Sequence, residues 1–207
     1  MVLVKLDLFL KKSSHMLNKQ IFIHENNFSI NKISLYDCTH IRGYHACRPI
    51  DISSYYTYGI CAFTEKEKQQ KASEIFGKPI EEIVGLTNYP EKEEVYFALS
   101  KEDLLKESGH YLCYGSEYFL SIARSLNKNG YYEDLLLKRG TPTIFTCDIP
   151  IHLINKYILD DINNNYDPKS LDYGIWINQT LPPKYIIKHE HPKKMFDPFF
   201  RFTRINE

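Results

Sequence analysis

The chain has 207 residues, which fits a single domain at about 150 residues per domain. Hydrophobic residues make up 43% and charged residues 25%, a balance that allows a packed core and excludes disorder throughout. Lys plus Arg equal Asp plus Glu at 26 each. No strongly basic face is dictated, and phosphate binding cannot be argued from charge alone.

Tyrosine and phenylalanine are abundant, at 16 and 12 against one Trp. Tyr joins apolar area to a hydroxyl, so the excess fits either a polar cleft lined by rings or a Tyr-rich core. The apolar run over 6–10 is broken by Asp7 and followed by Lys11 and Lys12. It is too short to span a bilayer and is not a signal-peptide core, so no membrane partner is expected. Cys38, Cys47, Cys61, Cys113 and Cys147 include no CxxC pair, which points to reduced thiols and a cytoplasmic setting.

Taken in chain order, segments 2–10 and 20–24 read as short strands, and 28–35 as a further extended segment. Asp51 is placed to cap a short helix over 52–58 that Gly59 ends in a left-handed conformation. Thr64 and Glu67 form a capping box for a polar helix reaching about Phe76, where Gly77 and Pro79 interrupt it. Segment 95–99 is a compact apolar run, most simply a buried strand. Ser100 with Asp103 opens another short helix. Ser116 caps a third, with Phe119, Ile122, Ala123 and Leu126 on one face. Segment 143–149 is a strand, and Pro150 suits the first turn of a helix to about Ile158. A loop is expected over 160–171, then a last strand over 174–178, broken by Leu181-Pro182-Pro183. Strands and helices mix without regular alternation. The expected class is α+β, in one domain over 1–207.

The P-loop, GxGxxG, GxSxG and HExxH signatures are absent. Four other features can carry chemistry. His45 followed by Arg48 can present an imidazole and a fixed cation to one anionic ligand; equally, His45 can be a half-buried ring and Arg48 a partner of Asp51. Glu117, after Tyr114-Gly115-Ser116, opens a helix, where a carboxylate is electrostatically favoured and can also orient a hydroxyl or activate a nucleophile. Cys38 with His40 and His45 with Cys47 would form a Cys2His2 set on a hairpin turning near Gly43, although the spacing is not that of a common zinc module. No metal is expected there, and His189 and His191 read as a surface turn.

The fourth feature is the order of short motifs. Tyr44-His45 at a strand end is followed by Tyr58-Gly59-Ile60, the strand from Val95 through Tyr96, Tyr114-Gly115-Ser116-Glu117, the strand to Asp148, Gly174-Ile175-Trp176-Ile177 and Pro182-Pro183-Lys184-Tyr185-Ile186. This order resembles the ADP-ribosyltransferase-fold proteins over about 40–190. The likeness is to RNA 2′-phosphotransferases, DNA-targeting ADP-ribosyltransferase toxins and, more loosely, RES-domain NAD-degrading toxins. It implies a split mixed β-sheet with short flanking helices and NAD as co-substrate. It also implies transfer of ADP-ribose to a nucleic acid or protein, plain NAD hydrolysis being the near variant.

By that resemblance, His45 holds ribose hydroxyls, Arg48 the diphosphate and Tyr96 the nicotinamide, with Tyr55 or Tyr56 as a further wall and Ser116 beside the cofactor. Two positions depart from the family pattern. Ala46-Cys47 follows the histidine where the family has Gly and Thr or Ser. The catalytic Glu that precedes the late strand in many transferases is here Asp172-Tyr173, so the carboxylate is Glu117 or Asp172, and the RES arrangement favours Glu117. Resemblance also implies a toxin of a defence or toxin–antitoxin system, with a cognate antitoxin. The alternative is a non-catalytic module that binds a nucleotide or partner in the same cleft. Transfer of a 2′-phosphate would need a second cation, for which Arg124 and Arg139 are available.

Overall fold

The computed structural model describes residues 10–12, 35–87, 93–126, 128–165 and 174–206. The expected strand over 20–24, most of those over 2–10 and 28–35, and the candidate Asp172 lie outside the described residues. At the centre are two long strands, β2 (Cys38–Cys47) and β4 (Thr143–Pro150). They pair antiparallel along their length, from His40 opposite Pro150 to Cys47 opposite Thr143. All eight residues of β4 are buried. Its sequence has no clean alternation, and its polar members Thr143, Thr146 and Asp148 are buried with the rest, as befits a strand covered on both faces.

The other edge of β2 is shared. Strand β1 (Leu10–Lys12) lies along its first half, and β3 (Val95–Ala98) meets it at Tyr44 opposite Ala98. Strand β5 (Gly174–Ile177) extends β3, and β6 (Ile186–Glu190) extends β4, giving the order β5-β3-β2-β4-β6. The architecture is α+β. A mixed sheet is the expectation from sequence, but every ladder among the described residues is antiparallel.

Strand β2 runs straight through Gly43, where a Cys2His2 set would need a hairpin. Gly43 is a packing requirement: a Cβ would lie 2.7 Å from Ile149 Cδ1 and 3.0 Å from Phe97 Cβ. A register shift opposite Lys12 breaks the alternation near Cys38, and a continuous strand holds His40 and His45 about 16 Å apart along its length. The Cys2His2 set is therefore not assembled. Among the described residues no group of three or more His, Cys, Asp or Glu could hold a metal ion.

One sheet face packs Phe97, Phe145, Ile149, Ile175 and Ile177 against α8 (Lys156–Asn165) through Ile158, Leu159 and Ile162. Tyr55 of α1 (Ser53–Tyr58) packs on the same cluster. The opposite face presents Ala46, Ala98 and Ile144 to the helices α2 (Glu65–Phe76), α3 (Ile80–Ile83), α4 (Lys101–Lys106), α5 (His110–Tyr114), α6 (Glu117–Ser125) and α7 (Tyr131–Lys138). A hairpin of β7 (Lys194–Asp197) and β8 (Phe202–Ile205) leans on α4 and α5. No helix of the described residues is long and apolar enough to cross a membrane.

Local chemistry explains the helix starts. Thr64 accepts from Glu67 N while the Glu67 carboxylate accepts from Thr64 N, closing the capping box. Ser100 caps α4 and Ser116 caps α6. Three expectations shift. Asp51 lies one residue outside the cap of α1 and accepts from Ser53 N and Ser53 Oγ instead. Pro150 ends β4, because a 3-10 turn over Ile151–Leu153 precedes α8. The expected loop begins late, since α8 continues to Asn165 with three buried residues on its apolar face.

Arg42 and Asp148 face each other across β2 and β4, with Nε and Nη2 donating to Asp148 Oδ1 at 2.9 and 2.7 Å. The side chains are only 16% and 7% exposed. Removing one member of such a pair strands a buried charge, whereas replacing both by apolar groups often does not. Arg42→Met is expected to lower unfolding free energy by about 3 kcal/mol, and the Arg42→Met/Asp148→Leu double variant to lower it less, as read from urea denaturation.

Candidate functional site

A cavity of about 620 Å³ opens where β2 ends, walled by α1, α2, the start of β3, α5 and α6. That volume lies in the range of small-molecule sites. His45, Arg48, Tyr96 and Ser116, four of the residues singled out from sequence, line it.

His45 is fixed by one contact. Its Nδ1 is 2.9 Å from the Tyr96 carbonyl oxygen, which can only accept, so Nδ1 carries the proton. Burial holds the ring's pKa below the ordinary histidine range, outweighing the opposing pull of that hydrogen bond. The ring is thus neutral at pH 7, with Nε2 as an acceptor. A hydroxyl donor, such as a ribose hydroxyl, is its natural partner.

Tyr96 is clamped between rings. It stacks on Tyr111 with centroids 5.5 Å apart and planes at 24°, and its centroid lies 5.4 Å from that of Trp176, its cross-strand partner. Gly174 makes this possible, because a Cβ there would sit 2.2 Å from Tyr96 Cε2. Tyr55 forms another wall and stacks on Phe145 at 4.6 Å and 18°. Burial pushes the Cys47 thiol up to about 12 despite a hydrogen bond with Tyr55. Cys47 therefore stays a thiol at neutral pH and is no nucleophile.

Arg48 is committed to the scaffold. Nε donates to Arg139 O at 3.0 Å, Nη1 to Leu112 O at 3.0 Å, and Nη2 to both Leu137 O and Gly140 O. Four of its five N–H donors thus serve carbonyls at or just beyond the ends of α5 and α7. Ser116 lines the cavity, but its hydroxyl accepts from Tyr118 N at 3.2 Å as the cap of α6. Glu117 does not line the cavity; His110 Nε2 donates to its Oε1 at 2.8 Å. Tyr56 also stands aside, 40% exposed, with its hydroxyl 2.7 Å from His189 Nδ1. Arg139 is in the lining and Arg124 is not; the guanidinium of Arg124 lies 4.0 Å over the Phe199 ring.

Sequence reasoning missed several lining residues. Lys68, Lys71 and Ile75 follow i, i+3, i+7 spacing and put one side of α2 on the cavity, together with Glu74. That spacing was readable, but nothing in it marked the polar side of the helix as inward. Lys71 Nζ lies 4.5 Å from the Phe63 ring centroid, and Lys68 Nζ lies 5.7 Å from that of Tyr118. Glu94 reaches the cavity just before β3. The Tyr118 hydroxyl donates to Glu65 Oε1 at 2.8 Å, where Gln69 Nε2 also donates, while Glu65 Oε2 is buried without a hydrogen bond. The lining therefore offers rings, a neutral imidazole, the cations Lys68, Lys71 and Arg139, and the carboxylates of Asp51, Glu74 and Glu94. Such a set suits a flat, hydroxylated, anionic ligand.

No family model matches the chain, and no curated protein or solved structure matches it significantly.

The depressed His45 pKa has a thermodynamic consequence. The unfolded chain takes up a proton near pH 6.5 and the folded chain only lower, so the histidine contributes less and less to stability as pH falls below about 6.5. His45→Gln is expected to flatten the loss of thermal stability between pH 7 and 5. Gly174→Ala should force the Tyr96 ring off Tyr111, at a cost of about 1–3 kcal/mol. A lower unfolding midpoint with an altered near-ultraviolet circular dichroism band would register that change.

Proposed function

We propose that the cavity binds NAD and that the protein is an NAD-consuming ADP-ribosyltransferase acting on a macromolecular acceptor. The observation that carries this reading is the neutral His45 ring, with Nε2 as acceptor, beside the stacked pair Tyr96 and Tyr111 in one cavity. His45 accepts from a ribose hydroxyl, and the Tyr96–Tyr111 pair forms an aromatic wall beside the nicotinamide. Lys68, Lys71 and Arg139 attract the diphosphate, a task that the resemblance gave to Arg48.

In the reaction the glycosidic C–N bond breaks and its electron pair goes to the nicotinamide nitrogen, neutralising the pyridinium. The acceptor's nucleophilic atom bonds the ribose carbon and releases its proton to solvent. Positive charge grows on the ribose in between, and a facing carboxylate stabilises it. Glu117, favoured by the resemblance, is held by His110 away from the lining. Glu94 faces the cavity next to Val95 and Tyr96, and we assign the stabilising role to it. A toxin neutralised by a cognate antitoxin remains part of this reading through the resemblance alone.

The engagement of Arg48 and Glu117 elsewhere favours a second reading, a non-catalytic module that holds a nucleotide in the same cavity. Nicotinamide release from NAD, measured with and without RNA, DNA or cell lysate, separates the two. Release is expected to fall at least a hundredfold in Glu94→Gln and to persist in Glu117→Gln. A loss confined to Glu117→Gln would return the catalytic role to that residue. NAD binding by calorimetry without any release would establish the binding module.

A further inference from the structure

The turn and second strand of the β7–β8 hairpin lie outside the cavity lining and have an unusual surface. Phe199, Phe200 and Phe202 are 45%, 58% and 46% exposed, and among the described residues every strongly exposed phenylalanine lies here. Exposed rings in a contiguous group mark a site of contact. The charge is equally local. Lys193, Lys194, Arg201 and Arg204 fall within 193–206 beside one carboxylate, Asp197, in a chain that is neutral overall.

That carboxylate adds nothing to the surface. Asp197 is fully buried and accepts from the Tyr114 hydroxyl at 2.8 Å, Arg204 Nε at 2.7 Å, Phe199 N at 3.1 Å and Phe200 N at 3.4 Å. It fixes the turn from beneath and neutralises Arg204, whose Nη2 also donates to the Tyr114 hydroxyl, so the exposed cations of the hairpin are Lys193, Lys194 and Arg201. The guanidinium of Arg204 lies 4.6 Å from the Phe202 ring centroid and 5.7 Å from that of Phe200. Arg201, at φ 55, sits on the exposed turn between the two rings.

Exposed rings with unbalanced cations on the same hairpin suit a partner that is flat and anionic together. Nucleobases with their phosphates meet that description. In a duplex the bases stack on each other and their faces are closed to a side chain, whereas a single strand exposes them. An anionic lipid offers the charge without the flat face.

We propose that this hairpin is a docking surface for single-stranded nucleic acid, with bases stacked on Phe200 and Phe202 and phosphates held by the exposed cations Arg201, Lys193 and Lys194. The proposal stands apart from the NAD reading, since neither the surface nor its test involves the cavity.

The test is fluorescence anisotropy of labelled 15-nucleotide single strands of mixed sequence, one DNA and one RNA, against the full chain without NAD. A DNA duplex of the same length and vesicles containing phosphatidylserine run in parallel. Single strands are expected to bind more tightly than duplex, and the DNA and RNA arms show which strand is preferred. Phe200→Ala and Phe202→Ala should each weaken binding about tenfold. Arg201→Gly, which suits the left-handed backbone, should lower the salt slope by about 0.7. Thermal unfolding of each variant shows whether it is folded, and Phe200→Ala on the exposed turn leaves the Asp197 anchor in place. Binding at low salt that is absent, unchanged in the folded variants, or confined to duplex or vesicles overturns the proposal. So does self-association by sedimentation that Phe200→Ala abolishes, which would assign the surface to a second copy of the chain.

Discussion

The guanidinium of Arg48 is where the sheet and the helical layer are joined. It stands just beyond the last residue of β2 and gathers carbonyls from Leu112, Leu137, Arg139 and Gly140. Carbonyls at a helix C-terminus have no partner within the helix and carry its negative partial charge. A single cation that answers two helix ends therefore fixes the distance of both from the sheet. The cavity is the space left between them. Its floor and its opening depend on a side chain that looks from sequence like a ligand-binding residue.

The same economy governs His45. A polar ring on a strand packed between two apolar layers must satisfy its hydrogen bonding locally, and the carbonyl of Tyr96 on the neighbouring strand provides one partner. Folding thereby selects the tautomer before any ligand arrives. Tyr96 in turn depends on a glycine opposite it and on the Tyr111 ring beside it. The chemistry of the cavity and the register of β2, β3 and β5 are consequently one problem, and altering the pairing would alter the ligand groups.

Much of the architecture was legible in the residues. Caps at Thr64, Ser100 and Ser116, and apolar runs at 95–99, 143–149 and 174–178, marked elements that the fold contains, because capping and burial are local effects. Continuity through Gly43 was not legible. A glycine in a polar stretch signals a turn unless one knows that Ile149 and Phe97 press against it. For the site, His45, Tyr96 and Ser116 were placed in one cavity by their proximity to strand and helix ends. The side-chain directions of Arg48 and Glu117 were beyond sequence, since each is decided by a partner distant along the chain or on another helix, the α7 carbonyls for one and His110 for the other.

The buried thiols have a further use. Burial raises the pKa of Cys47, of Cys113 and of Cys147, the first two to about 12. Cys47 stands at the cavity, Cys113 in the helical layer and Cys147 within the central strand. A thiol that is protonated and covered reacts with an alkylating reagent only when its surroundings part. Nature has in effect seeded each layer of this molecule with its own clock. The three alkylation rates record whether the cavity, the helices and the sheet come open together or one after another.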